Sequence, residues 1–169
     1  MLYKTLMLLS YLACRTPRKL LLAAGWVLGN LYYLLIPKMR RRAVEQMMPA
    51  LQIDERTAKK LVRASFINMA HNVLDILAMP MLNEQNLSDY IEIDHLERME
   101  EALAEGRGVV VLTGHIGCWE WLSAAFTLNG MPFSAISKPQ PNIQYTRVLD
   151  DLRATIHVEI FSRGTSELI

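Results

Sequence analysis

Apolar and polar positions change character near Pro80, from long helical patterns before it to short alternating units after it. An apolar run without charge covers residues 20–36, with Arg15, Arg18 and Lys19 before it and Lys38, Arg40, Arg41 and Arg42 after it. At 17 residues it stands at the lower edge of what crosses a bilayer as a helix, for which about 20 are usual. It therefore reads either as a span or as a helix lying in the interface, and a buried helix of a soluble domain is the remaining alternative. Basic residues at both ends choose no orientation, which favours a helix that dips into the membrane and returns. Residues 1–13 form a second amphipathic piece. No small-residue cleavage site follows the apolar run, so it is not a secretory signal.

Residues 38–53 read as a basic, methionine-rich connector broken by Pro49, after which Asp54 offers an N-cap to a long helix. The apolar positions Leu61, Phe66, Met69, Val73, Leu74 and Leu77 mark its core face, and Pro80 follows its end. Beyond Pro80 the pattern predicts a strand at 91–93, a helix capped by Asp94 and ended by Gly106, and a strand at 109–112. A helix at 119–128, a strand at 133–136, a helix capped by Asn142 that reaches Arg153, and a strand at 158–161 follow. The run Val109, Val110, Val111, Leu112 has the texture of a strand buried on both faces. Residues 162–169 begin an amphipathic helix that stops within two turns. The expected class is α/β, a central sheet flanked by helices and preceded by N-terminal membrane-associated helices. Residues 1–50 form the membrane-associated segment and 51–169 the N-terminal part of the α/β domain.

Charge supports the division. With 51% hydrophobic and 21% charged residues the chain is too apolar for disorder, and its length suits one domain. The net charge of +1 hides an asymmetry: residues 1–50 hold eight Lys or Arg against Glu45 alone, or +7, leaving −6 for the remainder. A basic segment that is also the most apolar points to an anionic membrane surface rather than to nucleic acid. Cys14 and Cys118 form no CxxC pair, which fits a reducing compartment.

The candidate chemistry lies in Gly108-Val-Val-Val-Leu-Thr-Gly-His115-Ile-Gly-Cys-Trp-Glu120-Trp. It puts a histidine where a strand gives way to a helix, the edge at which α/β sheets build sites. Gly114 and Gly117 let the backbone bend there. Glu120 falls in the first helical turn, from which its carboxylate can fold back to orient the imidazole and stabilise the imidazolium. Such a pair deprotonates a hydroxyl that attacks an acyl carbonyl. The spacing alone is weak, since four histidines give roughly 0.4 chance matches to it. His95 and Glu100 share the spacing, but inside a helix they fall about 140° apart. The alternative for His115 is a strand-end histidine satisfied by backbone. His71 reads as a core or surface histidine.

Cys118 admits a nucleophile or, with Glu120, a metal ligand, but no second ligand pair accompanies it, and a small apolar filler is the simpler reading. Trp119 and Trp121 read as core or membrane-facing aromatics. Lys138, Arg147, Arg153 and Arg163 are surface charges by default; any that reach the mouth of the His115 turn can bind a phosphate or a developing oxyanion.

The stretch from His115 to Trp121 resembles the lysophospholipid acyltransferase superfamily, and within it the bacterial lipid A biosynthesis (lauroyl or myristoyl) acyltransferases. Lys138-Pro139, Asn142, Arg153 and Ser162-Arg163-Gly164 follow in the family's order. The resemblance implies His115 as general base, Glu120 as its partner, and Arg153, Lys138 and Arg163 as substrate-binding residues, with no metal and no cofactor. It implies an acyl thioester of acyl carrier protein or coenzyme A as donor and a hydroxyl of a lipid A precursor or similar glycolipid as acceptor. The place of action would be the cytoplasmic face of the bacterial inner membrane. Family members continue past this length, so the expectation is a truncated acyltransferase fold. The alternatives are a catalytically incomplete membrane-bound fragment that binds lipid or a partner, and a thioester hydrolase using Cys118.

Overall fold

A computed structural model describes residues 1–163. In chain order the elements are α1 (Leu2–Arg15), α2 (Arg18–Leu35), α3 (Pro37–Leu51), α4 (Glu55–Ala78), α5 (Leu96–Ala104), α6 (Trp119–Thr127), β1 (Ser134–Ser137), α7 (Ile143–Ala154) and β2 (Glu159–Ser162). Short 3₁₀ turns lie at Met79–Met81 and Leu87–Asp89. The described residues are mostly helical, with one small parallel sheet. It forms two compact units, Lys4–Ala78 and a second comprising Met1–Tyr3 with the residues from Met79 onward.

In Lys4–Ala78, α2 packs on α4 along a face built from glycine. A Cβ on Gly29 would stand 2.4 Å from the Ile67 Cα, and one on Gly25 would stand 2.1 Å from the His71 ring. Only residues without side chains let the helices come this close. His71 fills the space opposite Gly25 and its Nε2 lies 2.9 Å from the Leu22 carbonyl, which makes it a packed, hydrogen-bonded histidine. Arg18 pairs with Asp75, fastening the start of α2 to the last turns of α4. Ser10 of α1 donates to the Leu77 carbonyl at 2.6 Å.

Residues 38–53 are not a connector. They form α3, started by Pro37 in its first turn and closed by Gln52 in the left-handed conformation, whose N–H bonds to the Met48 carbonyl. Proline at the first turn loses no helical hydrogen bond. Pro49 comes so near the end that it forfeits one bond without breaking the helix. Packing outweighs that loss: Val44, Ala58 and Val62 are buried, with Tyr33, Met47, Met48, Ile53 and Phe66 against them. Burying a side chain the size of valine stabilises by about 1.5 kcal/mol or more. Asp54 caps α4 as expected, accepting from the Thr57 N–H at 2.7 Å. No single helix among the described residues is long and apolar enough to cross a membrane, although α2 and α3, bent by 92°, reach that length and apolarity together.

In the second unit β1 and β2 run parallel, Ser134 opposite Glu159 and Ser137 opposite Ser162, with α7 as the crossover. Asn142 caps α7 through the Gln144 N–H. Phe126 stacks on Phe133 with centroids 5.4 Å apart, and Trp121 meets Tyr90 edge-on. Leu152 and Ile156 are fully buried. Tyr3 belongs to this unit: its hydroxyl donates to Asp151 at 2.5 Å, its N–H donates to Gln144, and the Arg147 guanidinium covers its ring. The Asp151 carboxylate pushes the Tyr3 phenol above its ordinary pKa.

Three sequence expectations fail in this unit. Residues 91–93 and 109–112 are not strands, and Val110 and Leu112 are 96% and 98% exposed rather than buried. Extended backbone becomes a strand only where a neighbour completes its ladder. β1 uses one edge for β2, and no backbone bond joins residues 109–113 to its other edge among the described residues. A cavity of about 530 Å³ lies between that segment and β1 instead. Asp94 does not cap α5; His95 precedes it in the left-handed conformation (φ 60°) and pairs with Glu97, so the helix starts at Leu96. Residues 164–169, most of the expected last helix, lie outside the described residues.

Candidate active site

Gly108 (φ 73°) and Gly117 (φ 60°) bound the segment that carries His115, both in a conformation other residues rarely adopt. Within it the Ile116 N–H bonds to the Gly114 carbonyl at 2.9 Å, which sets His115 at the tip of a tight turn. His115 is exposed, and its ring lies 4.6 Å from that of Trp119. Cys118 takes the cap position of α6 without a side-chain cap bond.

Glu120 sits in the first turn of α6 and is 5% exposed. Its carboxylate is held by Arg153, the Nε donating to Oε2 at 2.8 Å and an Nη to Oε1 at 2.6 Å. The other Nη of Arg153 reaches the Ser137 hydroxyl at 3.4 Å and lies 3.6 Å from Asp150. Each charge occupies the helix end that favours it, the acid at the start of α6 and the base in the last turn of α7. Burial lowers the affinity of Arg153 for its proton, but the hydrogen bond and charge of Glu120, with Asp150, outweigh it and the pKa rises. Two-point binding of a carboxylate by a guanidinium fixes orientation as well as charge. The pair thereby ties α6 to α7 at the end of β1.

The structure thus brings together Glu120 and Arg153, which the sequence reading had placed in separate roles. It does not join His115 to Glu120: no hydrogen bond or ion pair links them among the described residues. Lys138 follows β1 and Arg163 follows β2, both exposed. Because the strands are parallel these cations share the C-terminal sheet edge with Ser137 and Arg153, and the Arg163 N–H donates to the Ser137 carbonyl at 2.9 Å. That edge is where α/β sheets place ligands. Ser137 escaped the sequence reading because a strand-end serine has no distinctive signature. The Glu120–Arg153 pair did leave one: a lone acid in the otherwise uncharged α6 requires a cation when buried. No group of three or more potential metal ligands occurs among the described residues.

These features define an α/β protein with an exposed histidine at the entrance to a helix, a buried acid clamped by arginine behind it, and cations along one sheet edge. The chain matches the family described as bacterial lipid A biosynthesis acyltransferase over residues 3–168, and it belongs to that family. The family consists of acyltransferases of lipid A biosynthesis, enzymes that take an acyl donor and a lipid acceptor. No curated protein matches the chain.

Proposed function

We propose that this chain transfers a fatty acyl group from a thioester of acyl carrier protein or coenzyme A to a hydroxyl of a lipid A precursor or similar phosphorylated glycolipid. The observation that carries the proposal is the family match, which includes His115 exposed at the turn into α6 and Glu120 five positions on. In the reaction an imidazole nitrogen of His115 takes the acceptor's hydroxyl proton as the oxygen bonds to the thioester carbonyl carbon. The carbon–sulfur bond then breaks, and the departing thiolate takes the proton from the imidazolium. Glu120 orients and stabilises that imidazolium. Arg153 occupies one lone pair on each carboxylate oxygen and leaves others open to the ring. Rotation at Gly114 and Gly117 brings His115 onto Glu120 when substrate binds. Lys138 and Arg163 bind acceptor or donor phosphate, and Arg153 acts by holding Glu120.

We place this activity at the cytoplasmic face of the bacterial inner membrane, because the basic, apolar N-terminal helices suit an anionic surface. The exposed His115 and the β1 edge left open among the described residues also suit a second reading, a lipid- or partner-binding chain without turnover. Incubating purified protein with radiolabelled acyl thioester and a phosphorylated glycolipid separates the two. Transfer of label to the acceptor is expected; lipid binding without transfer would replace the enzymatic reading with the second.

A further inference from the structure

A groove of about 470 Å³ runs between α2 and α4, lined by Leu28, Leu31, Leu35, Phe66, Met69 and Val73. Its walls are open to solvent: Leu35 is 68% exposed, Met69 52% and Val73 50%. Leu20, Val27, Leu31 and Leu34 continue it as an exposed stripe at helical spacing along α2. A contiguous apolar surface of this kind marks an interaction site. At its far end the chain turns into α3, whose first turns carry Lys38, Arg40, Arg41 and Arg42. Arg40 lies over the Tyr33 ring and Arg41 pairs with the exposed Glu45, whereas Lys38 and Arg42 have no acidic partner among the described residues.

Apolar slot and basic end together describe an amphiphile with an anionic head. We propose that the α2–α4 groove holds one acyl chain of an anionic phospholipid, with its phosphate against the basic start of α3. A second copy of the chain fits less well. Two antiparallel α2 stripes would set the Lys38–Arg42 cluster of one copy against Lys19 of the other, like charges facing at both ends. The inference rests on the membrane-surface reading above and is independent of the transfer chemistry.

The test measures phosphatidylglycerol and phosphatidylcholine retained by the purified protein in mild detergent, using native mass spectrometry, alongside sedimentation with vesicles of each. Wild type should retain one phosphatidylglycerol and prefer vesicles that contain it, with the preference fading as salt rises. Val73→Trp fills the slot without making it polar and should reduce retention tenfold or more. The exposed pair Lys38→Gln and Arg42→Gln leaves the fold intact and should abolish the preference for phosphatidylglycerol while some chain binding persists. Equal retention by Val73→Trp, no preference to lose in wild type, or a lipid-free dimer would each overturn the proposal. Retention without acyl transfer would sink the proposed function alone, and transfer without retention would sink this inference alone.

Discussion

The unit Lys4–Ala78 and the residues from Met79 to Arg163 solve the same problem, burying apolar surface, by opposite means. In the first, helices satisfy their own backbone and need only matched faces, so Gly25 and Gly29 of α2 meet His71 and Ile67 of α4 at closest approach. In the second, the two strands among the described residues leave one edge of β1 open and Val109, Val110 and Leu112 in solvent, and a buried ion pair ties helix to helix. Close packing makes the first unit intolerant of added volume. The second should depend on one charged contact and be nearly indifferent to its exposed apolar segment.

The largest effect should come from breaking that contact. Glu120→Ala or Arg153→Ala leaves a buried charge alone and should cost about 3 to 5 kcal/mol in urea unfolding. The double variant should lose much less than the sum of the two single losses, since neither charge is then stranded. If the single losses simply add, the pair does not tie α6 to α7. In the helical unit, Gly29→Ala drives a methyl into the Ile67 backbone and should cost about 1 to 3 kcal/mol, more than Gly25→Ala, whose obstacle is a side chain. Equal or negligible losses would show that the helices approach less closely. Val110→Ser and Leu112→Ser should each change stability by less than about 0.5 kcal/mol, the usual result at exposed positions. A core-sized loss would mean the segment is buried in solution. The smallest effect concerns Asp54, whose pKa is lowered by the Thr57 N–H it accepts from. Its contribution is present above the ordinary aspartate range and lost as pH falls through its depressed value, so Asp54→Asn should narrow the difference from wild type in melts below about pH 4.

The same contrast decided what the sequence disclosed. The helical period marked α4 and Asp54 capped it as expected, because caps and stripes are local. Pro49 misled, since its cost depends on how near the helix end it falls, and the buried Val44 and packed Met47 settled that end. A valine run states only that backbone is extended; whether it pairs depends on distant strands, so 109–112 was misread as buried. Likewise the position of Glu120 at the start of α6 was legible, but its partner Arg153 is 33 residues away and only the fold joins them.

The central claim, acyl transfer with His115 as base, is tested most directly by the rate of transfer from acyl thioester to a phosphorylated glycolipid by wild type and by His115→Ala at matched folded fraction. His115 is exposed, so the substitution should leave stability unchanged while the rate falls about 10² to 10⁴-fold. A variant that folds normally and transfers acyl groups at the wild-type rate would contradict the account.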